Sequence, residues 1–328
     1  MSRIKDLQSR ANLKNNEFVV LFLIIIGVLL LMWALNPSRF FQRGNLQSMA
    51  FQMPELGLLS LGMMIIMVTG GINLAVVSTA NLAGIVAALV MQSSGGNGAM
   101  IPVAIVAALA VAAVVGLANG ALVAWVGVSP ILATLGMMTL LNGISIVLTK
   151  GYVISGFPDA FQWIGNGVVL GIPAPMVLFL LTAVGIGTLM NRSAFGFELY
   201  MLGTNETATR FSGINVNRVL IQSYVLSGLL SGLAALVMIS RFNSAKSDYG
   251  QSYLLVTVLA SVLGGTSVYG GFGRALGLVL ALVILQIVSS GLNLLQVNAF
   301  MTRAIWGLIL AGVMIVNYYR SRARIRVR

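Results

Sequence analysis

The side chains that could carry chemistry in this chain are neutral amides and hydroxyls set within long apolar runs. The candidates are Asn73, Ser78, Asn81, Asn119 and Asn142. Such groups exchange hydrogen bonds with a neutral, hydroxyl-rich solute without holding it by charge. Their alternative role is a hydrogen bond between helices, the commoner fate of polar side chains inside a membrane, worth about 0.6 kcal/mol. From the sequence both interpretations stay open.

Other kinds of chemistry lack their usual groups. The chain has no cysteine and no histidine, so thiolate and imidazole chemistry, and the metal sites built on those ligands, are not expected. Its seven acids are expected in tails, loops or at the ends of membrane spans; they are Asp6, Glu17, Glu55, Asp159, Glu198, Glu206 and Asp248. This disfavours a proton-driven carrier. With no nucleophile and base pair, we predict neither an enzyme nor a cofactor.

The chain carries no energy source of its own. It has no G-x-x-x-x-G-K-[ST] loop, and none of its four lysines follows a glycine, so ATP would have to be hydrolysed by another subunit. The predicted docking place is the loop 191–218. Within it, residues 204–212 predict a short helix capped by Thr204 or Asn205 and closed by Gly213. The alternative is a solvated connector.

The elements that must position these groups are membrane-spanning helices. The chain is 58% hydrophobic and 8% charged, and no Asp, Glu, Lys or Arg lies between Glu55 and Lys150. A span needs about 20 apolar residues, which predicts an all-α polytopic membrane protein with about ten transmembrane helices. The predicted spans are 18–35, 54–69, 73–91, 101–126, 130–149, 175–190, 219–239, 253–268, 275–294 and 299–317. Near Gly70-Gly71 we expect a broken helix or two separate crossings, either of which would place Asn73 and Asn81 beside irregular backbone.

Charge at the two ends predicts the orientation. Residues 1–17 and 318–328 form basic tails around the transmembrane domain 18–317, and basic residues collect on the cytoplasmic side. Both termini, and the loop 191–218, are therefore predicted to be cytoplasmic. Topology also accounts for the net charge of +12, so nucleic acid is not an expected partner. The first apolar run is too long for a usual signal peptide and is predicted to stay as a span.

A short internal echo links two glycine pairs. Thr69-Gly70-Gly71-Ile72 is matched by Leu263-Gly264-Gly265-Thr266. An internal repeat would explain it. We favour the simpler explanation that glycine pairs recur because they let helices approach closely.

Four blocks resemble the permease subunits of bacterial ribose-type ATP-binding-cassette importers, a group that includes ribose, xylose, arabinose and autoinducer-2 permeases. They are Thr69 to Ser78, Ser129 to Gly136, Ala194 to Ile214 and Leu263 to Gly273. The first block departs from the family pattern T-G-G-I-D-L-S-V-G-S, since Asn73, Ala75 and Val77 replace Asp, Ser and Gly. The solute is therefore not transferred by analogy.

The resemblance implies a multi-pass protein of the bacterial inner membrane with several partners. These are two cytoplasmic ATPase subunits or one double-cassette ATPase, a periplasmic solute-binding protein, and a second permease copy or sister permease. It also implies that the segment 203–214 is the helix that couples to the ATPase, with Gly203, Asn205, Glu206, Ala208, Arg210, Phe211 and Gly213 as its functional residues. Outer charges such as Arg241 and Lys246 could pair with the binding protein or only face solvent.

The leading prediction is an ATP-driven importer subunit for a neutral sugar or polyol-like solute. The alternative is a sodium-coupled or facilitative secondary transporter for a small neutral solute, since sodium can bind to carbonyl and hydroxyl oxygens alone. An exporter of the same general class is a further rival.

Overall fold

The computed structural model describes residues 2–93 and 98–326 of the chain. Over these residues the chain is a helical bundle with two minimal sheets. The helices are α1 Ser2–Leu35, α2 Arg43–Val68, α3 Val76–Ser93, α4 Ile101–Ala124, α5 Pro130–Thr149, α6 Asp159–Asn166, α7 Ala174–Arg192, α8 Ala194–Thr204, α9 Glu206–Phe211, α10 Val216–Phe242, α11 Tyr253–Leu263, α12 Ala275–Leu294 and α13 Ala299–Arg326, with a 3₁₀ turn at Gly98–Met100.

Seven helical segments in the described residues are long and apolar enough to cross a membrane; they comprise α2, α3, α4 with its preceding turn, α5, α7, α10 and α12. Shorter apolar helical stretches occur at Val19–Leu35, Tyr253–Leu263 and Phe300–Ile315. Each predicted span overlaps one of these segments. The all-α membrane class is therefore confirmed, whereas the number of crossings and the orientation stay predictions.

Between the two tails, two predicted spans differ from the helices by five or more residues at one end. The helix predicted to begin at residue 54 begins at Arg43 and continues through Pro54, because a single proline removes only one helical hydrogen bond. The span predicted to end at 268 stops at Leu263. Gly265 follows with φ +86°, a left-handed conformation that ends helices.

The predicted tails are helical where they are described. Residues 2–17 belong to α1 and residues 318–326 to α13. Met1, Val327 and Arg328, which belong to the predicted tails, lie outside the described residues.

The centre of the bundle is α2. Every residue from Leu58 to Val68 is buried, and the helix packs against α7, α10, α11 and α12. A helix that is apolar on all sides is suited to such a position.

Small residues bring α4 and α10 into backbone contact. A Cβ atom on Gly116 would lie 2.8 Å from the Cα of Val225, and one on Gly120 would lie 2.9 Å from the Cα of Ile221. From the other helix, a Cβ on Gly232 would lie 2.9 Å from the Cβ of Ala112. Glycine and alanine at four-residue spacing allow this close approach.

The short strands tie loops together at one end of the bundle. Strand β1 (Ile154–Ser155) pairs antiparallel with β4 (Ser244–Ala245), and β2 (Val168–Val169) pairs with β3 (Ile172–Pro173). The second pair turns at Leu170 and Gly171, both with positive φ, as a type I′ hairpin requires.

The two echoed glycine pairs end helices in the same way. Gly70 N donates to Met67 O at 3.0 Å and Gly71 N to Ile66 O at 3.1 Å; Gly265 N donates to Val262 O at 3.0 Å and Thr266 N to Ser261 O at 2.9 Å. This is the Schellman arrangement. Close packing therefore accounts for only one glycine of the second pair. A Cβ on Gly264 would lie 2.7 Å from the Cα of Leu278, whereas one on Gly265 would have no atom within 4 Å.

Candidate functional site

Asn73 lies in the non-helical segment 69–75 between α2 and α3 and is almost fully buried. Its Nδ2 donates to Ser227 Oγ of α10 at 3.1 Å, and its Oδ1 accepts from Ala75 N at 3.0 Å. The side chain therefore fixes the segment to α10 and also begins the turn into α3.

Helix α5 runs beside this segment and joins it through polar contacts. Thr134 Oγ1 accepts from Leu74 N at 3.0 Å and donates to Pro130 O at 2.7 Å. Further along, Ser78 Oγ donates to Asn142 Oδ1 at 3.0 Å. The structure thus joins Ser78 with Asn142, about one helical turn further along α3 and two turns further along α5 than the contacts of the 69–75 segment.

Asn81 and Asn119 lie outside this network. Asn81 Nδ2 donates to Ser247 O at 2.9 Å and to Tyr249 O at 3.0 Å, so it fastens α3 to the segment after α10. Asn119 sits one residue before Gly120, which packs on α10. The Oδ1 atoms of both are buried without a hydrogen-bond partner in the described chain. Such acceptors can bind water or a solute hydroxyl.

The short helix predicted at residues 204–212 is present as α9. Asn205 caps it, with Oδ1 accepting from Ala208 N at 2.9 Å. Thr204 does not cap it, because its hydroxyl donates back to Tyr200 O at 2.8 Å. Gly213 follows with φ +81°. Glu206 and Arg210 form an exposed ion pair at 3.0 Å, worth about 0–1 kcal/mol at such a position.

Phe211 ends α9 with 88% of its surface exposed. Exposed aromatic side chains of this size are typical anchors of protein interfaces. The helix therefore presents an apolar side chain and two charges on its outside.

Helix α8 connects this region to the end of α2. A Cβ on Gly203 would overlap the carbonyl oxygen of Val68 and the amide nitrogen of Gly271. Gly271 N in turn donates to Val68 O at 2.9 Å. We call this meeting point of Val68, Gly203 and Gly271 the glycine junction. It brings Gly203 of the third block and Gly271 of the fourth against Val68, the residue just before the first block. The two glycines signal a close approach, but they do not identify which residues meet.

Tyr200 adds a side-chain link beside the glycine junction. Its hydroxyl donates to Gly273 O at 2.7 Å. Burial raises the pKa of this hydroxyl above its usual range, although Arg274 opposes the shift. Tyr200 therefore remains a protonated donor at neutral pH.

Glu55 lies inside α2 and is fully buried. Arg241 Nε of α10 forms an ion pair with Glu55 Oε1, and Arg241 Nη2 donates to Oε2 at 3.2 Å. Tyr253 Oη donates to Oε2 at 3.4 Å. The predicted start of this helix at residue 54 was wrong, because α2 begins at Arg43; the depth of Glu55 in the membrane stays a prediction. Arg241, 16% exposed, is therefore engaged within the bundle and does not face outward as a free charge.

The outer face of α5 carries a groove of about 660 Å³. Its lining residues are Thr139, Leu140, Gly143, Ile144, Val147 and Leu148. A Cβ on Gly136 or Gly143 would meet no atom within 4 Å. This face of α5 is therefore open to lipid or to another protein chain.

No cluster of three or more acidic residues that could hold a metal ion occurs in residues 2–93 and 98–326.

Comparison with known proteins gives a consistent result over most of the chain. A family model described as the permease component of the branched-chain amino acid transport system matches residues 45–317. The ribose import permease protein RbsC of Escherichia coli (strain K12) is 35% identical over 313 residues, covering 94% of this chain and 95% of the relative. RbsC of Bacillus subtilis (strain 168) is 36% identical over 315 residues, covering 94% of both chains.

A third relative is the autoinducer 2 import system permease protein LsrD of Enterobacter sp. (strain 638). It is 32% identical over 311 residues, covering 92% of this chain and 93% of the relative. No solved structure matches the chain at a significant level.

Proposed function

The chain belongs to the family of permease components of the branched-chain amino acid transport system, and from this premise we propose that it is the transmembrane subunit of an ATP-driven importer. The resemblance to ribose-type permeases is confirmed by the relatives. The proposed solute is a neutral sugar or polyol-like molecule, and the proposed location is the bacterial inner membrane.

The observation that carries this proposal is the glycine junction. It puts α8, which leads directly into α9, in backbone contact with the last residue of α2. Immediately beyond that residue lies the segment 69–75, which contains Asn73. A displacement of α9 is therefore passed to the segment 69–75 through packed backbone atoms, without flexible side chains in between.

The proposed ATPase-docking surface is α9 and its flanks. A coupling helix must present a compact, stable shape to its partner. The Asn205 cap and the left-handed Gly213 limit α9 at both ends, and Phe211 supplies an exposed apolar anchor. We assign Gly203, Asn205, Glu206, Ala208, Arg210, Phe211 and Gly213 to this surface.

The proposed solute path follows the polar side chains in and beside the segment 69–75. Asn73, Ser78 and Asn142 already exchange neutral hydrogen bonds with Ser227 or with one another, and the free acceptors of Asn81 and Asn119 add two positions. The named relatives import ribose and autoinducer 2. A path of amides and hydroxyls suits a solute of that hydroxyl-bearing kind.

The remaining proposed partners are a second permease copy and a periplasmic solute-binding protein. We place the second copy against the open face of α5, because this helix carries Asn142 at its inner boundary and the 660 Å³ groove on its outer face.

Reconstitution tests the proposal directly. The purified chain in liposomes is expected neither to hydrolyse ATP nor to take up labelled ribose; adding its cognate ATPase subunit and binding protein should produce ATP-dependent uptake. Sodium-dependent or passive uptake by the chain alone would overturn it in favour of a secondary transporter. Efflux without the binding protein would indicate an exporter.

A further inference from the structure

An open cavity of about 340 Å³, lined by both polar and apolar side chains, lies where α4 ends and α10 begins. It is lined by Trp125, Asn215, Asn217, Arg218, Ile221 and Gln222. Arg218 and Gln222 are one helical turn apart on α10, both exposed, and Trp125 follows the last residue of α4. The candidate solute path does not use any of these residues.

The cavity stands at the end of an apolar stripe on α4. Val103, Val106, Val114 and Leu117 are exposed at spacings of three to eight residues, which places them on one side of the helix. The same side leads to Trp125, 68% exposed. No segment of the described chain covers this face, and an exposed apolar helix face in a membrane protein meets lipid chains unless another protein chain covers it. The cavity therefore opens at the end of a face that lipid chains can reach.

The charge of the cavity is positive. Its lining holds one guanidinium and three side-chain amides, without a carboxylate. No ion pair of the described chain involves Arg218. Tryptophan is typical of the boundary between membrane and water, and basic pockets between helices at the cytoplasmic boundary bind anionic headgroups.

From these observations we propose that the α4–α10 cavity binds the phosphodiester headgroup of an anionic phospholipid whose acyl chains lie along the exposed stripe of α4. Arg218 pairs with the phosphate, Gln222 and the two asparagines donate hydrogen bonds, and Trp125 packs against the glycerol region. Only residues 212–214 lie between the end of α9 and Asn215 of this site, so the lipid belongs to the leaflet that faces the proposed ATPase.

Tryptophan quenching tests the proposal on the full chain. In a variant with Trp33, Trp163 and Trp306 replaced by Phe, Trp125 is the remaining tryptophan. The protein is reconstituted in liposomes containing either phosphatidylglycerol or phosphatidylcholine with brominated acyl chains, at equal mole fraction. We expect at least twofold stronger quenching by the phosphatidylglycerol. Equal quenching by the two lipids would overturn the proposal.

Arginine variants separate the site from general surface charge. Arg218→Gln is expected to remove the lipid preference, and Arg218→Lys to keep much of it. Arg192→Gln is the matched control, because Arg192 is an exposed arginine at the end of α7 that does not line the cavity; it should leave the preference intact. An equal loss in Arg192→Gln would show a diffuse charge effect and contradict a defined site.

Two further outcomes identify other occupants. If inorganic phosphate in solution abolishes the lipid preference at unchanged ionic strength, the cavity is a site for free phosphate. If Arg218→Gln keeps the lipid preference but loses binding of the ATPase subunit, the cavity belongs to the protein interface. Either result refutes the lipid site without bearing on whether the chain transports solute.

Discussion

Replacing Gly203 by alanine tests whether the glycine junction carries the coupling between α9 and the segment 69–75. The added methyl group would overlap the carbonyl oxygen of Val68 and the amide nitrogen of Gly271. Both are backbone atoms that already share a hydrogen bond of 2.9 Å, so neither can turn aside as a flexible side chain would. Either the hydrogen bond or the position of α8 must change.

The size of the effect follows from the overlap. Inserting a methyl group into a close-packed site typically costs about 1–3 kcal/mol. A coupling free energy of that size corresponds to about a 5- to 150-fold change in an equilibrium. We therefore expect Gly203→Ala to lower solute-stimulated ATP hydrolysis at least fivefold in the reconstituted complex.

Gly185→Ala is the matched control. Gly185 lies in α7, and a Cβ there would meet no atom within 4 Å, so the same chemical change adds no overlap. The assay compares basal and solute-stimulated ATP hydrolysis, with thermal unfolding to detect general damage. Normal stimulation in Gly203→Ala, or an equal loss in Gly185→Ala, would refute the role of the junction.

Three other changes test separate parts of the structure. Asn73→Asp removes the Nδ2 donor to Ser227 and is expected to raise the KM for solute severalfold in uptake assays; an unchanged rate and solute profile would assign Asn73 to packing. Asn205→Ala removes the α9 cap, which lowers helix stability by about 1 kcal/mol. It should weaken solute-stimulated ATP hydrolysis more than the control Ser212→Ala does, because the Ser212 hydroxyl only donates to Ala208 O. Glu55→Gln leaves the Arg241 charge without its partner. Breaking a buried ion pair in this way typically lowers the free energy of unfolding by about 3–5 kcal/mol. We expect a lower thermal midpoint, and an unchanged midpoint would show that the pair is dispensable.

Local features of the chain were predictable because each depends on residues close in sequence. The charge-free interval from Glu55 to Lys150 indicated membrane helices, and Asn205 with Gly213 indicated a capped short helix. The start of α2 was missed because Pro54 was taken as the start of a span, whereas one proline does not end a helix that is packed on both sides of it.

The glycine junction could not be predicted in the same way. Val68, Gly203 and Gly271 are far apart in sequence, and their contact depends on how α2, α8 and the loop 264–274 pack. Glycine at a position signals that something approaches closely, but it does not identify the neighbour. The pairing of Ser78 with Asn142 is likewise a tertiary contact that periodicity leaves open.

The burial of α2 on all sides has a consequence for how the bundle can move. A helix enclosed from Leu58 to Val68 by four neighbours cannot tilt unless all of them repack together, and close-packed interiors resist such change. Motion during a transport cycle is therefore easiest if α2 stays still and the outer helices rotate about it. On this reasoning α2 is the part of the protein that moves least, and the glycine junction lies at its last residue, Val68.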